Sequence, residues 1–277
     1  MHTKALPYVG LLSFFWGTNV VASRFGIGQF DPLVFAALRL LIATAAFLLV
    51  FTLQRRAWSA DGTVWRHAAV SGVLGVAIPM TLFILSLQYQ SAGVTSIYVT
   101  VTPAIMAIAA HFFLSDEPLS PTKAAGVGLA LAGSLFLALR GESGLAEVGR
   151  ASPLGFILIF TGVSSEVGNA IFVRRRMRGM DPLPVTGIRL ATGALLTGTL
   201  ALMLGDMNWA MVTPVGYASL AYAALIGALG GQFLAFYITR RFGATAFSLA
   251  AYLLPVVATA LGVLLLGEIV TAGMVIG

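Results

Sequence analysis

The chain has 277 residues, 58% of them hydrophobic and only 9% charged, with a mean hydropathy of +0.95. Water-soluble domains carry about 25% charged residues, so the composition excludes a soluble fold and indicates an integral membrane protein. The net charge of +6 does not argue for nucleic acid, because the basic residues sit in short clusters between apolar runs, and the lack of cysteine excludes disulfides and thiolate metal sites.

Apolar runs of roughly 20 residues, the length that crosses a bilayer, fall at about 7–28, 33–53, 67–88, 94–114, 121–139, 153–173, 183–204, 214–238, 244–266 and 269 onward. The first contains Asn19 and Arg24 and lacks a small-residue cleavage site, so it reads as a retained helix rather than a signal peptide. The tenth is cut at Gly277, and the native protein is expected to continue beyond it. The sequence thus predicts an all-α membrane protein with ten transmembrane helices and no soluble domain.

Lys and Arg set the expected orientation. With the N-terminus taken as cytoplasmic, that side holds eleven of the sixteen, among them Lys4, Arg55, Arg56, Lys123 and the run Arg174, Arg175, Arg176. The opposite side holds Arg24, Arg140 and Arg150, while Arg39 and Arg189 fall inside spans. This positive-inside bias places both termini in the cytoplasm, with the loops near 90 and 208 outside.

The chain also repeats itself at an offset of 150 residues. Asp31-Pro32-Leu33 with Arg39-Leu40 recurs as Asp181-Pro182-Leu183 with Arg189-Leu190, Asn19 as Asn169, and Phe83 as Phe233. Five spans per repeat is an odd number, so residues 1–140 and 151–277 are expected to insert as two inverted five-helix repeats, an architecture suited to alternating access. In the fourth span Thr95, Tyr98 and Thr102 share a helical face ahead of Pro103. In the ninth, Thr245, Ser248 and Tyr252 do the same ahead of Pro255. Polar stripes in a membrane are costly unless they face protein or a water-filled cavity, which makes these two spans candidates for a substrate path. Small residues at Gly126, Ala130 and Gly133 on the fifth span suggest close helix packing.

Trp16-Gly17-Thr18-Asn19, Arg39-Leu40, and proline-containing fourth and ninth spans ending in Ser115-Asp116-Glu117-Pro118 and Leu266-Gly267-Glu268 together resemble the drug/metabolite transporter superfamily in its ten-helix EamA-type branch. The likeness extends over essentially the whole chain and is greatest to bacterial exporters of aromatic amino acids. It implies a central cavity built from spans one, three, four, six, eight and nine, with five and ten at the repeat interface. The second half departs from the first where Glu166-Val167 replaces Trp16-Gly17.

The expected substrate-binding set is Trp16, Asn19, Pro79, Phe83, Tyr98, Thr102, Glu166, Asn169, Gln232, Phe236, Ser248 and Tyr252. Asn19 and Asn169 are amides within apolar spans and must find partners, whether substrate or a neighbouring helix. Glu166 is the one carboxylate inside a predicted span, a candidate for proton coupling or for structure. Arg39 and Arg189 could meet a substrate carboxylate, though snorkelling or binding exposed backbone carbonyls at a helix break is the favoured expectation. Glu117 and Glu268 are expected at the membrane surface. The HExxH, GxSxG and GxxxxGK[ST] templates are all missing, so no catalytic residue, metal or cofactor is expected. The sequence therefore reads as a secondary transporter that exports small zwitterions, neutral or aromatic amino acids first among them, from a bacterial inner membrane. Its expected partners are the substrate and the lipid bilayer, and it is expected to act as a monomer. A multidrug exporter of cationic aromatic compounds is the alternative, with a channel or structural membrane protein as the rival of another class.

Overall fold

The computed structural model describes residues 3–114, 119–146, 152–210, 212–242 and 244–276; the side chains of Thr3, Gln232, Phe236, Thr239, Arg240, residues 244–249 and Ile276 lie outside the description. Among the described residues all regular structure is helical. The helical runs are α1 (Leu6–Gly26), α2 (Pro32–Leu53), α3 (Gly62–Ser86), α4 (Ala92–Phe113), α5 (Pro121–Arg140), α6 (Pro153–Arg176), α7 (Pro182–Leu204), α8 (214–242), α9 (Ala244–Leu266) and α10 (Ala272–Ile276).

Five of these helices begin in the same way. Asp31-Pro32, Ser120-Pro121, Ser152-Pro153, Asp181-Pro182 and Thr213-Pro214 each place a side-chain acceptor at the N-cap and proline just inside the helix. Asp31 accepts from the Leu33 and Val34 amides at 2.9 and 3.1 Å. The cap satisfies donors the helix leaves open, and proline there sacrifices no hydrogen bond. Gly141, in the left-handed region at φ 63°, ends α5.

Helices α2 to α8 are long and apolar enough to cross a membrane, which makes the chain a multi-pass membrane protein. The other three expected spans fall short of that measure. Thr18, Asn19 and Ser23 dilute the 21-residue α1, only Ala250–Leu266 of α9 qualifies as a shorter apolar helix, and the described part of α10 is five residues long.

The packing interleaves the two halves of the chain. α2 lies along α7, α1 packs against α8 and α9, and α6 packs against α3 and α4. Leucines such as Leu129, Leu202 and Leu264 remain exposed, as a lipid-facing surface requires. Gly126 and Gly128 on α5 meet no neighbour within contact range, so the expected close packing at Gly126 does not form within the chain.

At one end of the molecule the connections lock together. The Ser91 amide donates to the Ser143 carbonyl, Ile269 to Gly144, Gly273 to the Glu142 carboxylate, and Thr213 to Gln29 Oε1. Gln90 and Ser91, read from sequence as part of an open loop, are fully buried in this network. Glu268, expected at the surface, is also buried there and accepts from the Ala92 and Gly93 amides, capping α4 from 175 residues away. Glu117 lies outside the described residues.

Candidate functional site

Helices α3 and α8 both carry a π-helical turn, at Val73–Ala77 and Ala223–Gly230. The two begin 150 residues apart, and π turns inside helices concentrate at functional sites. Each presents a glycine to an asparagine of the other half. A Cβ on Gly75 would overlap the Asn169 amide and crowd the Arg189 guanidinium, and one on Gly227 would overlap the Asn19 amide. The helices approach this closely because those two side chains are absent.

A cavity of about 110 Å³ lies beside these contacts. α1 contributes Trp16, Asn19, Val20 and Ser23; α2 contributes Arg39; α3 contributes Gly75, Pro79, Met80, Phe83, Ile84 and Leu87. Thr95 and Val99 enter from α4, Glu166 from α6, Gly227 from α8 and Leu254 from α9. The wall is mainly apolar with a few convergent polar groups, the usual character of a small-molecule site.

The polar groups differ in how well they are partnered. Asn169 is satisfied, since its Oδ1 accepts from Ser71 Oγ at 2.7 Å. Asn19 Oδ1 is buried without a partner. Glu166 sits in the field of Arg189, and Glu268 in that of Arg24. Arg39 is 4% exposed, its Nε has no partner, and its one hydrogen bond is a long contact of 3.5 Å from Nη1 to Ser23 Oγ. It neither snorkels nor binds a carbonyl, the role the sequence favoured, and lines the cavity instead. Leu41 takes the exposed face of α2, and Arg39 lies on the buried one.

Of the expected site residues, Trp16, Asn19, Pro79, Phe83 and Glu166 meet at the cavity. Asn169 lies behind Gly75. Tyr98 is buried on another flank of α4, its ring 5.3 Å from that of Phe156. Tyr252 is 57% exposed on the outer surface of α9, so the two tyrosines do not form a shared wall. Thr102 supports the helix break instead of the cavity. Pro103 has no N–H to offer the Val99 carbonyl, and Thr102 Oγ1 donates to that carbonyl at 2.6 Å. The side chains of Gln232, Phe236 and Ser248 lie outside the described residues. Sequence reasoning passed over Ser23 and Leu254, whose types carry no signal in an apolar helix, and favoured a snorkelling or carbonyl-binding role for Arg39 over a substrate contact.

A second cavity of about 330 Å³ opens between α2, α7 and α8. Phe47, Leu190, Leu229 and Phe233 line it, with Arg56 and Asp181 at the rim. It is larger than the first, yet its interior carries no buried charge. Leu190 and Leu229 belong to an apolar cluster that also takes in Met80, which lines the first cavity.

The family model described as the EamA-like transporter family matches residues 3–139 and again 153–277. The chain is 24% identical to the uncharacterized transporter YoaV of Bacillus subtilis over 97% of this chain and 91% of that one. It is 25% identical to the uncharacterized inner membrane transporter YedA of Escherichia coli, covering 96% and 85%. A solved crystal structure superposes with a TM-score of 0.65 at 19% identity, covering 100% of this chain and 93% of that one, a likeness of fold. The relatives are transporters rather than enzymes. A multi-pass helical bundle, a cavity between its helices and a family match over both halves lead to one conclusion: the chain belongs to the EamA-like transporter family.

Proposed function

We propose that this transporter exports neutral amino acids, aromatic ones preferred, by alternating access across a bacterial inner membrane. The observation that carries the reading is the small cavity itself, where a guanidinium, a carboxylate and an amide converge between Trp16 and Phe83. Polar groups of both signs suit the two ends of a zwitterion, and the rings add area burial and stacking for a flat apolar side chain. In this reading the chain crosses the membrane ten times as two inverted five-helix repeats, 1–140 and 151–277, with both termini cytoplasmic. Three observations support the duplication: the doubled family match, the π turns 150 residues apart, and the exchanged contacts of α1 with α8 and of α6 with α3.

Uptake of labelled phenylalanine into proteoliposomes under counterflow tests the reading. Unlabelled phenylalanine or tryptophan should block uptake. Phe83→Ala should weaken phenylalanine by about tenfold, the equivalent of roughly 1.4 kcal/mol of lost ring contact, and alanine hardly at all. Competition by ethidium-like cations, with amino acids inert, would replace this reading with export of cationic aromatic drugs.

A further inference from the structure

Three arginines lie within the helical bundle, and they are not equivalent. Arg24 and Arg189 are only partly buried, in the fields of Glu268 and Glu166 respectively. No carboxylate acts on Arg39 among the described residues. It is 96% removed from solvent, its Nε is unpartnered, and it faces the small cavity. Burying a charge without a partner is among the most costly arrangements in a protein. The remaining polar wall offers it only hydroxyls and one amide: Ser23, Thr95 and Asn19, whose Oδ1 is also unpartnered. The carboxylate on the same wall, Glu166, lies in the field of Arg189.

We infer that Arg39 is the anchor for the substrate's carboxylate, and that the site selects small aromatic or apolar monocarboxylates, with the α-ammonium group dispensable. A guanidinium presents paired N–H donors that match a carboxylate bidentately. The bound anion neutralises the one uncompensated charge of the cavity, while its apolar body lies against Trp16, Phe83 and Leu254. An ammonium group is the weaker handle, because it would share Glu166 with the field of Arg189. The inference rests on the cavity assigned above as the substrate site and narrows what that cavity reads.

The test uses the full chain in proteoliposomes, with labelled phenylalanine as the reporter and two truncated analogues as competitors. 3-Phenylpropionate retains the carboxylate and lacks the ammonium; phenethylamine is the reverse. The expected result is competition by 3-phenylpropionate within about tenfold of phenylalanine and a failure of phenethylamine by at least about a hundredfold, since a site built to pair a polar group rejects the analogue lacking it. Arg39→Gln should erase that difference, and Arg39→Lys should retain part of it. Thermal unfolding of detergent-solubilised protein gives a second reading. Arg39→Met should raise the ligand-free melting temperature while abolishing stabilisation by 3-phenylpropionate, because it removes an unpaired buried charge. Transport of phenylalanine with phenethylamine as the better competitor, or with carboxylate preference intact in Arg39→Gln, would overturn the inference and leave amino-acid export standing. Direct uptake of labelled 3-phenylpropionate without uptake of phenylalanine would remove amino-acid export and leave the carboxylate anchor in place.

Discussion

Gly75 and Gly227 show how single atoms set this site. Each faces an asparagine so closely that a methyl group would overlap its amide. At Gly227 the neighbour is Asn19, which lines the cavity; at Gly75 it is Asn169, already held by Ser71. Gly227→Ala should therefore push Asn19 toward the substrate and lower uptake at least about tenfold, with an overpacking cost of roughly 1–3 kcal/mol. Gly75→Ala meets Asn169 and Arg189 and should show a similar loss of melting temperature. Melting curves and uptake measured on the same preparations separate the two effects, and unchanged values in both variants would contradict the packing. The amides were legible in the sequence because a carboxamide in an apolar run must have a partner. For Arg39 the sequence left a substrate contact and snorkelling both open, because a one-dimensional pattern does not show which side of a helix meets a cavity.

Helix α4 explains why its polar stripe misled. Thr95 and Tyr98 are three residues apart, so their side chains stand about 60° apart on the helix surface. The cavity takes Thr95 and Val99, and Tyr98 turns toward α6. The helix then breaks between Val99 and Thr102 ahead of Pro103, and Thr102 serves the break. Helix starts were far more legible, since an acceptor followed by proline marks five of them without reference to tertiary structure. The pairing of α5 with α10 followed from the family resemblance, but the contact that makes it, a carboxylate in a connecting segment, carried no signal of its own. Glu142 accepts from the Gly273 amide at 2.7 Å and from Arg140 Nε at 2.5 Å. Thr271's hydroxyl, with Arg140 and the Gly273 amide, holds its carboxyl below the ordinary 4.5. A carboxyl depressed in the folded state lends stability that is fully present above its unfolded value and is lost as pH falls through the depressed one. Attachment of α10 should therefore be unchanged from pH 7 to 5 and loosen below about pH 4, as read by hydrogen exchange at Gly273 and Met274. Glu142→Gln should show the loosened pattern at neutral pH, and identical exchange in the two proteins would rule the clasp out.

Over the whole molecule the hydrogen-bonded connections gather at one end. Ser91 to Ser143, Ile269 to Gly144, Thr213 to Gln29, and Glu268 to the start of α4 all lie in segments that the positive-inside pattern assigns to the outside. In the alternating-access reading proposed above, this network closes the outer end, and the cycle has to break it to open outward. Glu268 is the best place to break it, because its two oxygens bind two amides of another helix, and hydrogen bonds to a charged group are worth about 1.5–3 kcal/mol each. Replacing it with glutamine keeps the size but leaves one acceptor oxygen, so one bond becomes neutral and weaker and the other amide faces an NH2 donor. Because the chain has no cysteine, single thiols report without background. Asn208→Cys should react with an impermeant reagent from outside, and Ala60→Cys only after permeabilisation, both positions being exposed. Labelling of both from one side would overturn the orientation. With that calibration, Val99→Cys, on the cavity wall, should react slowly from outside in an otherwise native chain. Adding Glu268→Gln should accelerate it by about tenfold or more, since 1.4 kcal/mol is a factor of ten in population. A rate that does not change would mean that the network at this end is a scaffold through the whole cycle and that the gate lies elsewhere.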